Sequence, residues 1–137
     1  MERDDAEGAK AFAEYYFQVA SFAQATGDTR QLARVQAPDC RACTGAREWI
    51  DDVYSAGGKI VGGHMAARAL AATPLAVPGG RTIGFSVSAR LQSSRGSVVN
   101  QLGETTRKAA ASSARVSLSV SMSTEGEWQV EFWEKKA

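Results

Sequence analysis

The sequence predicts an α+β fold in which three N-terminal helices pack on a curved antiparallel sheet. Apolar residues recur at helical spacing through the first part of the chain, up to Tyr54. From Ile83 onward they alternate with polar residues, which is the period of a strand with one face in water. Because helices precede strands and no βαβ alternation is visible, the pattern is typical of the α+β class.

Composition limits the possible functions. The chain has 137 residues, of which 44% are hydrophobic and 23% are charged, and its net charge is +1. This apolar content excludes a disordered chain, and the balanced charge makes nucleic acid an unexpected partner. No apolar run reaches the length of about eighteen residues that a membrane span needs. We expect a polar N-terminal tail over residues 1–5 and a single domain over residues 6–137.

Three amphipathic helices are predicted in the N-terminal part. The first covers residues 5–25 and ends at Gly27, the residue type usual just past a helix. Its inward stripe consists of Phe12, Tyr15, Tyr16, Val19, Phe22 and Ala23. Phe17 lies off this stripe and is expected to be partly exposed. A short second helix opens with a capping box at Asp28, and a third covers residues 41–56.

Strict alternation predicts three strands, over residues 83–91, 114–122 and 128–132. The connection between the last two is short, so they are expected to form a hairpin. An alanine-rich strand over residues 59–73, followed by a turn over residues 74–80, completes the predicted sheet.

The segment over residues 93–112 carries the weakest pattern. It is expected to hold a short strand near Val98 and a flexible loop over residues 104–108. A weak basic patch is present in this segment, which a solvated loop explains adequately. It consists of Arg95, Arg107 and Lys108.

The two cysteines, Cys40 and Cys43, are separated by two residues and allow four interpretations. A structural zinc site needs two further ligands, and His64 is the single histidine. A redox pair normally follows a strand, whereas this pair follows a predicted helix and loop. Two reduced thiols are the third interpretation. We favour the fourth, a short-loop disulfide of an oxidising compartment, which stabilises the fold by about 2 kcal/mol.

Several short motifs combine along the chain. They are Ala11-Phe12 with Tyr15-Tyr16, Ala25-Thr26-Gly27-Asp28-Thr29 with Leu32, Pro38-Asp39-Cys40-Arg41-Ala42-Cys43, Tyr54-Ser55-Ala56-Gly57-Gly58, Gly62-Gly63, and Gly126-Glu127-Trp128-Gln129-Val130 with Trp133. With this order of elements the chain resembles the NTF2-like (SnoaL-like, cystatin-like) fold, and more specifically a family of uncharacterised actinobacterial lipoprotein domains. The resemblance implies a cone with a cavity, and an exported domain tethered by a lipidated cysteine upstream of Met1. It implies no reaction, because the family has no established activity.

His64 is the candidate for acid–base chemistry. In an NTF2-like cavity a histidine can act as a base that a carboxylate orients, here Asp51 or Asp52. A lone histidine beside two glycines is more often a surface residue. Adjacent carboxylates such as Asp51-Asp52, or Asp4-Asp5, point about 100° apart on a helix. They are therefore expected to be solvated, and no metal site is predicted.

Three tryptophans are a large aromatic content for a small domain. They are Trp49, Trp128 and Trp133. The alternation places Trp128 inward in phase with Phe132, whereas Trp133 faces outward, where it could anchor a partner or cover the sheet edge. The residues expected to contact a ligand or partner are Tyr16, Phe85, Trp128 and Trp133.

These observations favour a non-catalytic, extracytoplasmic binding or protein-interaction domain of a membrane-anchored lipoprotein. Its expected partner is an unknown protein or a small apolar ligand, with no cofactor and no nucleic acid. Membrane contact is expected only through the lipid anchor, and a homodimer through the sheet is a further expectation. The alternative is an isomerase or hydratase of the NTF2-like type that uses His64. A thiol–disulfide exchanger at Cys40 and Cys43 is the third hypothesis.

Overall fold

Three helices precede seven strands in the computed structural model, which describes residues 5–76, 82–122 and 126–136. The helices are α1 (Ala6–Thr26), α2 (Arg30–Arg34) and α3 (Arg41–Ser55). The strands are β1 (Lys59–Gly62), β2 (Met65–Ala76), β3 (Thr82–Ser93), β4 (Gly96–Val99), β5 (Thr105–Ala109), β6 (Ser112–Met122) and β7 (Trp128–Lys135). Helices followed by antiparallel strands confirm the predicted α+β class.

Both ends of α1 are capped, and the C-terminal cap is the predicted Gly27. The Asp5 carboxylate accepts a hydrogen bond from the Gly8 N–H at 2.9 Å, as an N-cap residue does. At the other end, Gly27 has a φ of 79° and its N–H donates to the Ala23 carbonyl at 2.8 Å. This left-handed conformation explains why a glycine terminates α1.

The predicted exposure of two phenylalanines of α1 is wrong. Phe17, expected to be partly exposed, is 1% exposed, whereas Phe22 of the predicted inward stripe is 48% exposed. The reason lies outside the helix, because Phe17 packs edge to face on Trp133 with ring centroids 5.7 Å apart. Spacing within α1 does not reveal where an aromatic partner on the sheet will stand.

The strands form two antiparallel sheets that meet at a corner. The larger sheet has the order β2-β3-β6-β7, and the smaller has the order β1-β4-β5. β1 continues into β2 and β3 into β4, so that Gly62 pairs with Gly96 and Met65 pairs with Ser93. β5 continues into β6 across residues 110–111. Three extended stretches of chain therefore pass from one sheet to the other at the same place, so that two antiparallel sheets stand where one curved sheet was predicted.

Glycine is required where the chain turns this corner. Gly62 has a φ of 69°, and a Cβ atom on it would lie 2.3 Å from the Arg95 carbonyl oxygen. Gly96 on the paired strand is equally crowded, because a Cβ atom there would lie 2.8 Å from the Gly63 nitrogen. The close approach of the two backbones is possible only without side chains at these positions.

The hydrophobic core lies between the helices and the inner face of the larger sheet. Phe12 of α1 stacks on Trp128 of β7 with ring centroids 6.0 Å apart, and Phe85 of β3 approaches the same indole at 6.1 Å. Leu32 of α2 and Ile50 of α3 add to the same cluster. The helices thus cover the apolar face of the sheet, as the alternation predicts.

The pairing of β6 with β7 confirms the predicted hairpin, but the predicted phase of β7 is wrong beyond Val130. Val120 pairs with Val130 and Ser119 pairs with Phe132, so Glu131 is an extra residue in β7. This β-bulge reverses the faces of the following residues. Phe132 is consequently 50% exposed, and Trp133 turns inward against Phe17.

Two further boundaries differ from the prediction. Residues 104–108, expected to be a flexible loop, largely belong to β5, which pairs with β4 in antiparallel register. The alanine-rich strand is interrupted at the corner and then runs to Ala76, so that Pro74 lies in β2 opposite Phe85. The rest of the turn predicted over residues 74–80 lies outside the described residues.

Candidate functional site

The disulfide predicted between Cys40 and Cys43 is present. It stands at the start of α3, where the Cys40 sulfur accepts a hydrogen bond from the Cys43 N–H at 3.2 Å. Both cysteines are buried, at 1% and 0% exposure. A thiolate from solvent has no path to either sulfur in this conformation, so the geometry disfavours the thiol–disulfide exchanger.

The aromatic residues predicted to bind a ligand pack mainly on one another. Tyr16, Phe85 and Trp128 are buried in the core, and Trp133 is partly buried beside them. Burial raises the pKa of the Tyr16 hydroxyl, which accepts a hydrogen bond from the Gln36 side-chain amide at 3.2 Å. Their rings occupy the space that a small ligand would need, and a binding role for them stays a prediction.

His64 stands at the corner between β1 and β2 with its side chain exposed. Its backbone N–H is bonded to the Ser94 hydroxyl, whereas Asp51 on α3 accepts a hydrogen bond from the Thr29 hydroxyl. Within residues 5–76, 82–122 and 126–136, the His64 ring makes no ion pair with a carboxylate, and no group of three potential metal ligands occurs. Asp52 is exposed, Asp5 caps α1, and Asp4 lies outside the described residues.

An apolar cleft opens between the helices and the smaller sheet. Its volume is about 260 Å³. Its side-chain walls come from the end of α1, from α3 and from the three strands of the smaller sheet, and they include Gln24, Trp49, Ile60, Val98 and Arg107. We call this feature the Trp49 cleft. Its described lining does not include the four aromatic residues named above, which we call the aromatic core.

A cation–π contact forms one wall of the Trp49 cleft. The Arg107 guanidinium lies over the Trp49 ring, 5.9 Å from its centroid. Such a contact holds the indole in place while leaving the guanidinium N–H groups able to donate. Lys108 follows on the same strand and also lines the cleft, whereas none of the described residues in the lining carries a carboxylate. The cleft therefore combines an apolar interior with a cationic rim.

A second hollow of about 540 Å³ adjoins the Trp49 cleft and shares Lys108 with it. Arg95 lines this hollow, and the part of its wall that the structure describes again contains no carboxylate. The basic patch of Arg95, Arg107 and Lys108, predicted to lie in a solvated loop, thus lies on β5 and at the sheet corner. None of its three cations forms an ion pair with a residue in the described part of the chain.

The sheet edges on either side of the core are covered. At the edge strand β2, the Met65 N–H donates to the Ser21 hydroxyl and the Ala69 N–H donates to the Glu14 carboxylate, both from α1. At β7, the Val130 N–H donates to the Val35 carbonyl at 2.8 Å. The backbone groups of Met65, Ala69 and Val130, which these edges would otherwise offer to another chain, are therefore satisfied internally.

The two edges of the smaller sheet differ from each other. At β1, the Ile60 N–H donates to the Tyr54 hydroxyl at 3.2 Å. β5 pairs with β4 on one side, and all five of its residues are exposed. The hydrogen bonds described for β5 all run to β4, one of them from the Thr106 hydroxyl to the Val98 carbonyl. Its outer edge is open to an added strand.

The residues of this site were named from the sequence, but their proximity in the fold was not predicted. It singled out Trp49 as part of the aromatic content, and Arg107 with Lys108 as a basic pair. The missing signal was the register of the smaller sheet, which pairs Ile60 with Val98 and Val98 with Arg107. Cross-strand neighbours of this kind carry no mark in a single sequence.

Solved structures with the same arrangement of helices and bent sheet define the class of fold. The intermembrane space region of the chloroplast protein ARC6 is similar with a TM-score of 0.68 at 15% identity, covering 98% of each chain. A protein from Catenulispora acidiphila is similar with a TM-score of 0.57 at 11% identity, covering 95% of this chain and 93% of the other. At such low identity these likenesses concern the fold alone.

The family follows from the sequence itself. The family of unknown function DUF6318 matches residues 1–134, and the chain belongs to it. This confirms the expected membership of an uncharacterised domain family. No curated protein matches the chain. Among the described residues, no helix combines the length and the apolar character that crossing a membrane requires.

Proposed function

We propose that this protein is a non-catalytic, extracytoplasmic interaction domain that binds an extended segment of another protein. The segment lies along the outer edge of β5 and inserts one bulky apolar side chain into the Trp49 cleft. The observation that carries the proposal is the position of an apolar cleft and an open strand edge on the same strand, since Arg107, Lys108 and Ala109 of β5 line the cleft.

The size of the Trp49 cleft supports a side chain as its occupant. Pockets for drug-sized ligands and cofactors measure roughly 300–1,000 Å³, whereas this cleft measures about 260 Å³. A single apolar side chain gains little affinity alone, so further contacts are needed. Strand addition supplies them, because main-chain hydrogen bonds give affinity while a pocket selects the side chain.

Charge further defines the segment. Arg107 and Lys108 flank the cleft, and its described wall contains no carboxylate, so acidic residues on either side of the inserted side chain are favoured. The same charges disfavour pairing of β5 with β5 of a second copy, because the two cationic strands would face each other. A homodimer through this edge is therefore the less favourable occupant.

The proposed location rests on the disulfide and on the family resemblance. Disulfides persist in oxidising compartments, and the Cys40–Cys43 bond is short-range and buried. We infer export and anchoring through a lipidated cysteine upstream of Met1. The bent sheet covered by helices also supports a relationship to the NTF2-like fold, in which the Trp49 cleft stands at the open end of the cone.

Selection from a random linear peptide library tests the proposed binding. The full chain and the variants Trp49→Ser and Leu102→Ser are used in parallel, since Leu102 is exposed and does not line the cleft. We expect peptides with a bulky apolar residue between acidic residues to be enriched on the full chain and on Leu102→Ser. A Trp49→Ser variant with an unchanged far-ultraviolet circular dichroism spectrum is expected to retain none of them.

Two results would contradict this function. One is the absence of any enriched sequence on the unmodified chain. The other is retention of the same peptides by folded Trp49→Ser and by Arg107→Glu, because both changes alter the cleft directly.

The proposed location has its own test in the native cells. We expect the protein in the membrane fraction, with Cys40 and Cys43 resistant to alkylation until the sample is unfolded and reduced. Recovery of a fully alkylated protein in the aqueous fraction, without reduction, would overturn the location while leaving the binding proposal untouched.

A further inference from the structure

Three arginines stand side by side on the outer face of the larger sheet. Arg68 of β2 pairs with Arg90 of β3, and Arg90 pairs with Arg115 of β6. The inward neighbours of these residues, such as Ala89 and Val116, are buried, whereas all three arginines are exposed. We call this cross-strand row the arginine row. It lies on the opposite side of the sheet from the aromatic core.

This arrangement is unfavourable for the isolated chain. Paired strands lie about 4.7–4.9 Å apart, and like charges directly opposite each other destabilise a sheet. Within the described part of the chain, none of the three guanidinium groups forms an ion pair. The nearest acidic residue in register is Glu134, which is paired with Lys136 at 3.5 Å. The described residues thus leave the row without an ion-paired carboxylate, and an acidic partner would supply one.

Most side chains around the arginine row are small or polar. The outward residues on its two sides have small or polar side chains, and they include Ala66, Gln92, Ser113, Ser88 and Ser117. Among the described residues the bulky apolar exception is Leu70, which stands at the bulge two residues beyond Arg68, at the β2 end of the row, and is 42% exposed. A rigid, elongated partner can therefore lie directly along the row, across the strands.

We propose that the arginine row binds an acidic α-helix of a partner protein. A helix rises 1.5 Å per residue, so carboxylates at positions i, i+4 and i+7 are spaced about 6.0 and 4.5 Å along its axis. These spacings match the distance of about 4.8 Å between neighbouring arginines. Each guanidinium can then hold a carboxylate with two parallel N–H donors.

Other polyanions fit the row less well. A net charge of +1 and a single row of cations give little attraction for an extended phosphate backbone. An anionic membrane surface would meet Glu134 beside the row as well as the arginines. A helix with one acidic stripe would place its carboxylates against the arginines and present no negative charge to Glu134. This proposal does not depend on the Trp49 cleft, which lies on another part of the molecule.

Fluorescence anisotropy with two synthetic helical peptides tests the proposal. Both are labelled and alanine-rich with the same composition, but one carries glutamates at i, i+4 and i+7 and the other carries them around all faces. We expect the full chain to bind the striped peptide at least about tenfold more tightly, a difference of about 1.4 kcal/mol. The triple variant Arg68→Ser/Arg90→Ser/Arg115→Ser should lose this preference. The control triple variant Arg34→Ser/Arg41→Ser/Lys59→Ser, which removes the same charge elsewhere, should keep it.

A stability measurement accompanies the binding experiment. Removing the central charge by Arg90→Ser relieves repulsion on both sides, so we expect a higher unfolding temperature than that of the unmodified chain. Equal binding of the two peptides would overturn the proposal, as would an equal loss in the control triple variant. Tighter binding to anionic vesicles or to single-stranded DNA that requires the same arginines would also overturn it, in favour of that polyanion.

Discussion

At the residue scale, the Tyr54 hydroxyl links three parts of the fold. It donates a hydrogen bond to the Gln24 carbonyl of α1 and accepts one from the Ile60 N–H of β1, while its own residue belongs to α3. Its ring also covers Gly27, where a Cβ atom would lie 2.5 Å from the ring. The Thr-Gly-Asp and Tyr-Ser-Ala-Gly-Gly motifs thus meet in space, and their role here is structural.

Removing the Tyr54 hydroxyl should destabilise the fold measurably. In Tyr54→Phe the Ile60 N–H loses its partner in a part-buried place, which costs about 1–3 kcal/mol. Tyr15→Phe is the matched control, because the Tyr15 hydroxyl accepts a bond from the exposed Gln31 amide. We expect a change within about 0.5 kcal/mol for the control in urea unfolding. Equal losses for both variants would show that the link through Tyr54 carries no stability.

Asp28 provides a pH-dependent contribution at the start of α2. Hydrogen bonds from the Arg30 side chain, and then from its backbone N–H, lower the pKa of Asp28 to about 2. Because the pKa in the folded state is lowered, the stabilisation is complete above the ordinary pKa and is lost as the pH falls through about 2. NMR titration should show the pKa of Asp28 rising in Arg30→Ala and unchanged in Lys10→Ala. An unchanged value in Arg30→Ala would contradict the assignment.

At the element scale, a glycine can be required because its φ is positive or because a side chain has no room. Both reasons apply to Gly62 at the sheet corner, whereas Gly103, in the connection between β4 and β5, meets only the first. Gly62 and Gly103 both have positive φ, at 69° and 83°, but only at Gly62 does a Cβ atom meet another backbone. Gly103→Ala should therefore cost roughly 1–2 kcal/mol through its conformation alone. Gly62→Ala should cost at least about 1 kcal/mol more, from overlap with the Arg95 carbonyl. Urea unfolding of both variants measures this difference, and equal costs would show that the corner can open.

The disulfide at the start of α3 should act as a cross-link more than as a cap. Serine is itself a good N-cap residue, so Cys40→Ser/Cys43→Ser can retain the cap while losing the bond. We expect the double variant to lose about 2 kcal/mol of unfolding free energy, the value for closing a four-residue loop. Because both sulfurs are buried, dithiothreitol should reduce the native protein only at denaturant concentrations that unfold it. Rapid reduction without denaturant would contradict this burial.

The elements differ in how far the sequence predicts them. Alternation from Phe85 to Leu91 predicts β3 well, because one face of this strand is buried and the other is wet. β5 has no such alternation, since every residue in it is exposed, and it therefore resembles a loop. The predicted faces of Phe132 and Trp133 are wrong because the bulge at Glu131 reverses them. The bulge arises from the pairing of β7 with β6, which the sequence of β7 alone does not specify.

At the scale of the whole molecule, the candidate surfaces arise from pairings between distant parts of the chain. Trp49 and Arg107 meet because α3 packs beside the smaller sheet, and the arginine row forms because three strands align Arg68, Arg90 and Arg115. Composition and periodicity predict the α+β class, the helices and the larger sheet. They do not specify register or edges, and both candidate surfaces depend on those two properties.

Coverage of the sheet edges is the property from which the binding proposal follows. Other parts of the chain bond to the edge of β2 at Met65 and Ala69, to that of β7 at Val130 and to that of β1 at Ile60, whereas β5 is exposed along its length. We therefore expect the outer edge of β5 to be the site of strand addition in the folded protein.

Amide hydrogen exchange of the full chain, with and without the tightest peptide from the library selection, tests this claim most directly. In the free protein, the amides of Ala69 and Val130 should exchange slowly and those on the outer edge of β5 rapidly. The peptide should slow exchange in β5 by at least about tenfold, equivalent to 1.4 kcal/mol, and leave β2 and β7 unchanged. Protection that appears at β2 or β7, or in no strand, would contradict the account.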